Sequence, residues 1–136
     1  MQLSKLIIPI TETEFDFPGM EGFKLTIAYI TRDELLKIRK KSTHTTFNKR
    51  SHSPEEEVDS DIFQDLYVKA VIKGWRGLSL KYVSKLVPID LSTIEDDSVE
   101  LDYDHENAMQ LMKNAPNFDS FVSDMVADLE NFIQSS

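Results

Sequence analysis

The chain has 136 residues, enough for one domain with a hydrophobic core and short for two. Fifteen Lys and Arg against 24 Asp and Glu leave a formal net charge of −9, which argues against phosphate backbones and anionic membranes as partners. Apolar residues at 40% exclude wholesale disorder and a membrane span, and the lack of cysteine removes disulfides, thiolate metal sites and thiol nucleophiles, so a cytosolic protein is expected.

In chain order, residues 1–10 hold only the short apolar run Leu6-Ile7-Ile8 before Pro9 and no small-residue cleavage site, so no secretory leader is expected. Residues 14–17 and 23–29 alternate apolar with polar or small side chains, the period of a half-buried strand. Pro18-Gly19-Met20-Glu21-Gly22 between them supplies a turn, so a hairpin is predicted, resting its apolar face on helices or on another chain. Thr31-Arg32-Asp33-Glu34 reads as a capping box opening a helix that carries Leu35, Leu36 and Ile38 inward. Residues 41–61 have only Phe47 and Val58 as sizeable apolar groups and are expected to form a flexible polar loop.

A second helix is predicted from Ser60 or Asp61 to Gly74, with Ile62, Phe63, Leu66, Tyr67, Ala70 and Val71 at three-and-four spacing. Gly74 ends it, and Trp75 then lies in a glycine turn, either plugging the core or anchoring a partner. Residues 80–87 fit a short helix better than a strand, and 90–102 an acidic loop. Asp104 caps a helix burying Ala108, Met109, Leu111 and Met112. A last helix is expected from Phe118 to about Ile133, with one broad apolar stripe made of Phe118, Phe121, Val122, Met125, Val126, Leu129, Phe132 and Ile133. The fold class is therefore α+β: an N-terminal β-hairpin packed on a mainly helical part of four to five helices. One domain spans residues 1–136, divided into hairpin and short helix (1–40), loop (41–61) and helical part (62–136).

Charge is unevenly spread. From Ile94 to Ser136 eleven acidic residues face one Lys113, a net of −10, while between Lys37 and His52 six Lys and Arg are unopposed. Two solvated faces are the plain reading; head-to-tail self-association or docking of oppositely charged partners is the sharper one.

The search for chemistry excludes more than it finds. His44, His52 and His105 match no metal-ligand spacing, and the acidic run from Asp96 to Asp104 lacks the glycine and the bidentate glutamate of a calcium loop. There is no Gly-x-Ser-x-Gly, and four glycines make neither a dinucleotide fingerprint nor a phosphate loop. No metal, no cofactor and no catalysis are expected.

The order of motifs resembles the tail assembly chaperones of long-tailed, siphovirus-type bacteriophages and prophages. The likeness is carried by Phe15 to Phe17 with Pro18-Gly19, by Gly22-Phe23 through Thr31-Arg32-Asp33-Glu34-Leu35, and by Ile72-Lys73-Gly74-Trp75-Arg76-Gly77-Leu78. Glu106-Asn107-Ala108 with Leu111-Met112, then Phe118 and a final helix, completes it. The resemblance implies a non-catalytic protein of the bacterial host cytoplasm, absent from the mature virion. It would bind and solubilise the tape-measure protein and help recruit tail-tube protein, with self-association and neither nucleic acid nor membrane as partner. A minor structural tail or connector protein of the virion, or a small acidic protein-binding adaptor, stands as the alternative. Candidate partner contacts are Met109, Met112 and Met125, since thioethers suit varied helical surfaces, with Phe121, Phe132 and Trp75; ordinary core is the plainer reading of the first five.

Overall fold

The computed structural model describes residues 1–8 and 10–133; Pro9 and the last three residues of the expected helical part lie outside the described residues. Among the described residues, five helices and five strands in two sheets make an α+β fold.

After a 3-10 turn at Leu3–Lys5, strands β1 (Ile10–Asp16) and β2 (Lys24–Ile30) form the expected antiparallel hairpin, β1 starting four residues earlier than the alternation indicated. Thr31 caps helix α1 (Arg32–Lys41), its hydroxyl accepting from the Glu34 amide at 3.3 Å, while the Glu34 carboxylate accepts from Lys37 at 3.2 Å. Here the inward assignment fails. No residue of α1 is fully buried, Leu36 is 50% exposed and Leu35 is exposed, and only Ile38 packs on the core.

The polar stretch expected as a loop folds as a second hairpin, β3 (Thr43–Asn48) with β4 (Ser53–Val58). Backbone ladder bonds and β-branched threonines hold it in place of apolar burial. Its base is pinned by Ser42, which is buried and donates its hydroxyl to the Ile38 and Arg39 carbonyls, and whose own carbonyl accepts from the Asp59 amide at 2.8 Å. The pairing also corrects the charge reading: Glu55, Glu56 and Glu57 lie across from Thr46, Thr45 and His44, so the basic stretch is no longer unopposed.

Helix α2 (Ser60–Val71) is capped by Asp59, which accepts from the Asp61 and Ile62 amides. It does not run to Gly74. Ile72–Arg76 is strand β5, pairing antiparallel with β2 so that the sheet order is β1-β2-β5. Trp75 stands opposite Leu25 in this strand and not in a glycine turn. The free edge of β2 supplies the backbone partners that stop the helix, and local periodicity carries no sign of it.

Helix α3 (Leu80–Leu86) forms as predicted, capped by Ser79, and residues 90–102 are a loop. That loop is tied down: the Leu80 amide donates to the Val99 carbonyl at 2.8 Å and the Leu101 amide to the Leu78 carbonyl at 2.7 Å. Asp104 caps α4 (His105–Asn114), which buries Ala108, Met109, Leu111 and Met112 as expected. The last helix is shorter. It occupies Pro116–Ala127 (α5), breaks at Asp128, and continues as a 3-10 turn at Leu129–Phe132. Asp128 accepts from the Glu130 amide and Asn131 donates to the Met125 carbonyl at 3.2 Å, so side chains take over the groups freed at the break. Leu129 and Ile133 are consequently exposed and leave the expected stripe.

The core lies between the sheet and the helices. Phe118 and Val122 of α5 are fully buried, and Phe132 packs edge-on against Phe15 at 5.4 Å and near Tyr29 at 5.5 Å, covering one side of the hairpin. Phe17 stacks on Phe23 at 5.2 Å and lies 6.2 Å from Phe118. Toward its end β2 is covered on both sides, since Ile27 and its neighbour Ala28 are equally buried, and α2 packs against β2, β5 and α4. At the other end the outer side carries charge: Lys24 reaches Asp16 at 2.7 Å, and Arg76 holds Glu14 through two bonds, across the central strand.

Gly77, at the exit of β5, and Gly22 sit back to back, both with positive φ. A Cβ on Gly77 would overlap the Gly22 carbonyl oxygen, whereas one on Gly19, also at positive φ, would meet open space. Gly77→Ala should therefore lower stability by about 3 kcal/mol or more and Gly19→Ala by about 1 kcal/mol, measured by denaturant unfolding. Equal losses would refute the close approach of the two loops.

Candidate docking surfaces

The six residues proposed for partner contact divide by burial. Met109, Met112 and Phe132 are spent inside the hydrophobic core. Phe121 and Met125 are half-buried at its edge. Phe121 packs 4.9 Å from Phe17 and lines a cleft of about 270 Å³ with Pro18, Met20 and Lys85, between the first hairpin's loop and helices α3 and α5. Trp75 is half-buried: its ring meets Tyr103 edge-on at 5.1 Å and Phe118 at 6.3 Å, and its indole N–H donates to the Leu101 carbonyl at 2.9 Å. The core contact and the polar anchor make Trp75 the joint between β5 and the acidic loop.

A second surface is absent from the sequence reading. Leu80 and Val83 of α3, with Val87, Ile89, Leu101 and Leu111, floor a groove of about 310 Å³ between α3 and α4. Asn107, Gln110 and Asn114 form its rim. Their spacing of three and four along α4 is the one local signal that could have revealed it, a single amide-bearing stripe beside the buried methionines. Two of its lining residues, Ile89 and Leu101, belong to residues 88–106, a segment that carries eight carboxylates and no Lys or Arg. Asp90 and Asp96 each accept from the hydroxyl and amide of the serine two residues on, at 2.6 and 2.9 Å, which holds both below the usual aspartate range and keeps this segment anionic.

Apolar side chains also stand in the open. Leu3 is 70% and Ile8 71% exposed, Leu6, Ile7 and Ile10 are exposed as well, and none of the five belongs to the core cluster. A third concavity, between α1 and the second hairpin, is lined by Leu36, Arg39, Lys40, Thr43, Thr45 and Glu56 and mixes both signs of charge.

Among the described residues, no group of three or more His, Asp and Glu is arranged to hold a metal ion, and no helix is long and apolar enough to cross a membrane. His105 donates from Nε2 to Asp65 at 2.6 Å, tying α4 to α2; hydrogen bonding to His105 is the main cause holding the Asp65 carboxyl below its usual range. A depressed carboxyl contributes stability that is present above its unfolded-state value and lost as pH falls through the folded one. Asp65→Asn should therefore flatten the loss of thermal stability on acidification below about pH 4, seen as a smaller drop in Tm than wild type shows. An unchanged acid profile would remove this contact from the pH dependence.

No curated protein and no solved structure matches the chain. A family model described as YdaY prophage protein matches residues 32–136, from the first residue of α1 to the end and so including the α3–α4 groove, while the first hairpin precedes the match. The chain belongs to the YdaY prophage protein family.

Proposed function

We propose that this prophage-family protein is a non-catalytic tail assembly chaperone that covers and solubilises the tape-measure protein in the host cytoplasm and helps recruit tail-tube protein. The observation that carries this reading is the pairing of exposed apolar surface with strong negative charge. Five large apolar side chains stand open in residues 3–10, an apolar groove lies between α3 and α4, and the chain bears a net charge of −9. Apolar surface exposed in this way marks a protein-interaction site, and the surrounding charge keeps the molecule soluble until the surface is covered. A tape measure is a long helical chain with apolar seams that aggregates while uncovered, and a small anionic protein binding along it in many copies suits that need. Family membership supplies the prophage setting, and the order of motifs from Phe15 to the last helix supplies the likeness to tail chaperones.

Co-expression with the tape-measure product of the same prophage tests the reading. The client should move from pellet to supernatant and co-purify with the chain, and Met125→Asp, at the half-buried edge of α5, should reduce capture severalfold if it remains folded. Purified particles should lack the chain. A client equally insoluble with and without it, or a stoichiometric presence in particles, would overturn the proposal, the latter in favour of a structural tail component.

A further inference from the structure

The exposed apolar segment and the apolar groove lie at opposite ends of the first sheet. Ile10 pairs with Ile30, at the end of β2 that leads into α1. At the other end Lys24 pairs with Arg76, four residues before α3 begins. Seven residues of β2 set the two ends about 20 Å apart. Leu6, Ile7 and Ile8 precede Ile10 by four residues at most and reach no further than about 14 Å from it, so these three fall short of their own groove. Charge is complementary as well: Lys5 is the sole charged side chain in residues 1–11, and the groove-lining residues Ile89 and Leu101 are flanked in the chain by Asp90, Glu100 and Asp102, an acidic border.

We propose that residues 1–8 of one copy dock in the α3–α4 groove of a second, seating Leu6, Ile7 and Ile8 on its apolar floor with Lys5 toward the acidic border. Because donor segment and acceptor groove are different surfaces, the contact is heterologous, and each added copy presents a fresh groove or a fresh segment. The product is an open head-to-tail chain. This goes beyond the chaperone reading, uses the same segment and groove as that reading, and is tested separately because it concerns the purified chain alone.

Sedimentation velocity on the full chain over a concentration series tests it. The wild-type mass should rise with concentration past that of a dimer. The double variant Ile7→Asp/Ile8→Asp should associate at least tenfold more weakly, the change lying in a segment outside the core. Val87→Asp blocks the groove, and an equimolar mixture of the two variants, each with one surface intact, should give a heterodimer and nothing longer. Should Val87→Asp fail to fold, a synthetic peptide of residues 1–10 decides the matter. Trp75 is the sole tryptophan and its indole is bonded to Leu101 on the groove floor, so wild-type peptide should change its fluorescence saturably and the Asp-substituted peptide should not. A wild-type chain that stays monomeric throughout, a segment variant that associates like wild type, or a peptide without effect on Trp75 would overturn the proposal.

Discussion

Leu25, Ile27 and Ala28 expose no surface at all, and their strand, β2, is the centre of the sheet. A strand buried this deeply must have backbone partners along both edges, because an unpaired amide or carbonyl away from water costs about 1–3 kcal/mol. One edge is satisfied locally by β1 across a tight loop. The other waits for Ile72–Arg76, more than forty residues further along. That demand decides where α2 stops, turns Trp75 toward Phe118, and delivers the chain at Gly77 directly beneath the first loop, from which α3 and the groove beside it follow.

The two loops that meet there are fused by geometry more than by chemistry. Gly77 approaches the Gly22 carbonyl so closely that no side chain fits at Gly77, and Tyr82 of α3 adds a bond to the Glu21 carbonyl at 2.8 Å. Phe17, Phe23 and Phe118 stack just inside, so the hairpin, the strand exit and α5 share one aromatic cluster. Truncating a fully buried phenylalanine such as Phe118 removes about 3–5 kcal/mol, a large part of what a domain of this size has. The second hairpin contributes little to that core, and its order comes from the Ser42 clasp and its own ladder.

On the outside, charge and greasiness are arranged separately. Carboxylates crowd the segment from 88 to 106, two of them locked by serine turns, while uncovered leucines and isoleucines gather before β1 and along α1. Such a surface keeps a molecule dispersed by mutual repulsion yet offers defined places for another polypeptide to settle. The proposed reading as a cover for a long helical client and the proposed head-to-tail contact draw on the same two surfaces, the apolar segment before β1 and the α3–α4 groove, the first together with the overall negative charge and the second on those surfaces alone.

Much of the architecture was legible locally. The alternation around Phe15 and Leu25, the caps at Thr31 and Asp104, and the spacing of Ala108, Met109, Leu111 and Met112 depend on neighbours within a few residues, and the structure bears each out. The errors fall where a distant partner intervened: the open edge of β2 converted the end of α2 into a strand, ladder bonds organised a polar stretch without any apolar signal, and side-chain caps broke the final helix at Asp128. The sequence alone determined the acidic character, the α+β class and most helix starts, because composition and short-range periodicity are properties of the chain itself. Which apolar faces are consumed by the core and which remain open was decided only in three dimensions, because burial is a relation between elements that lie far apart along the chain.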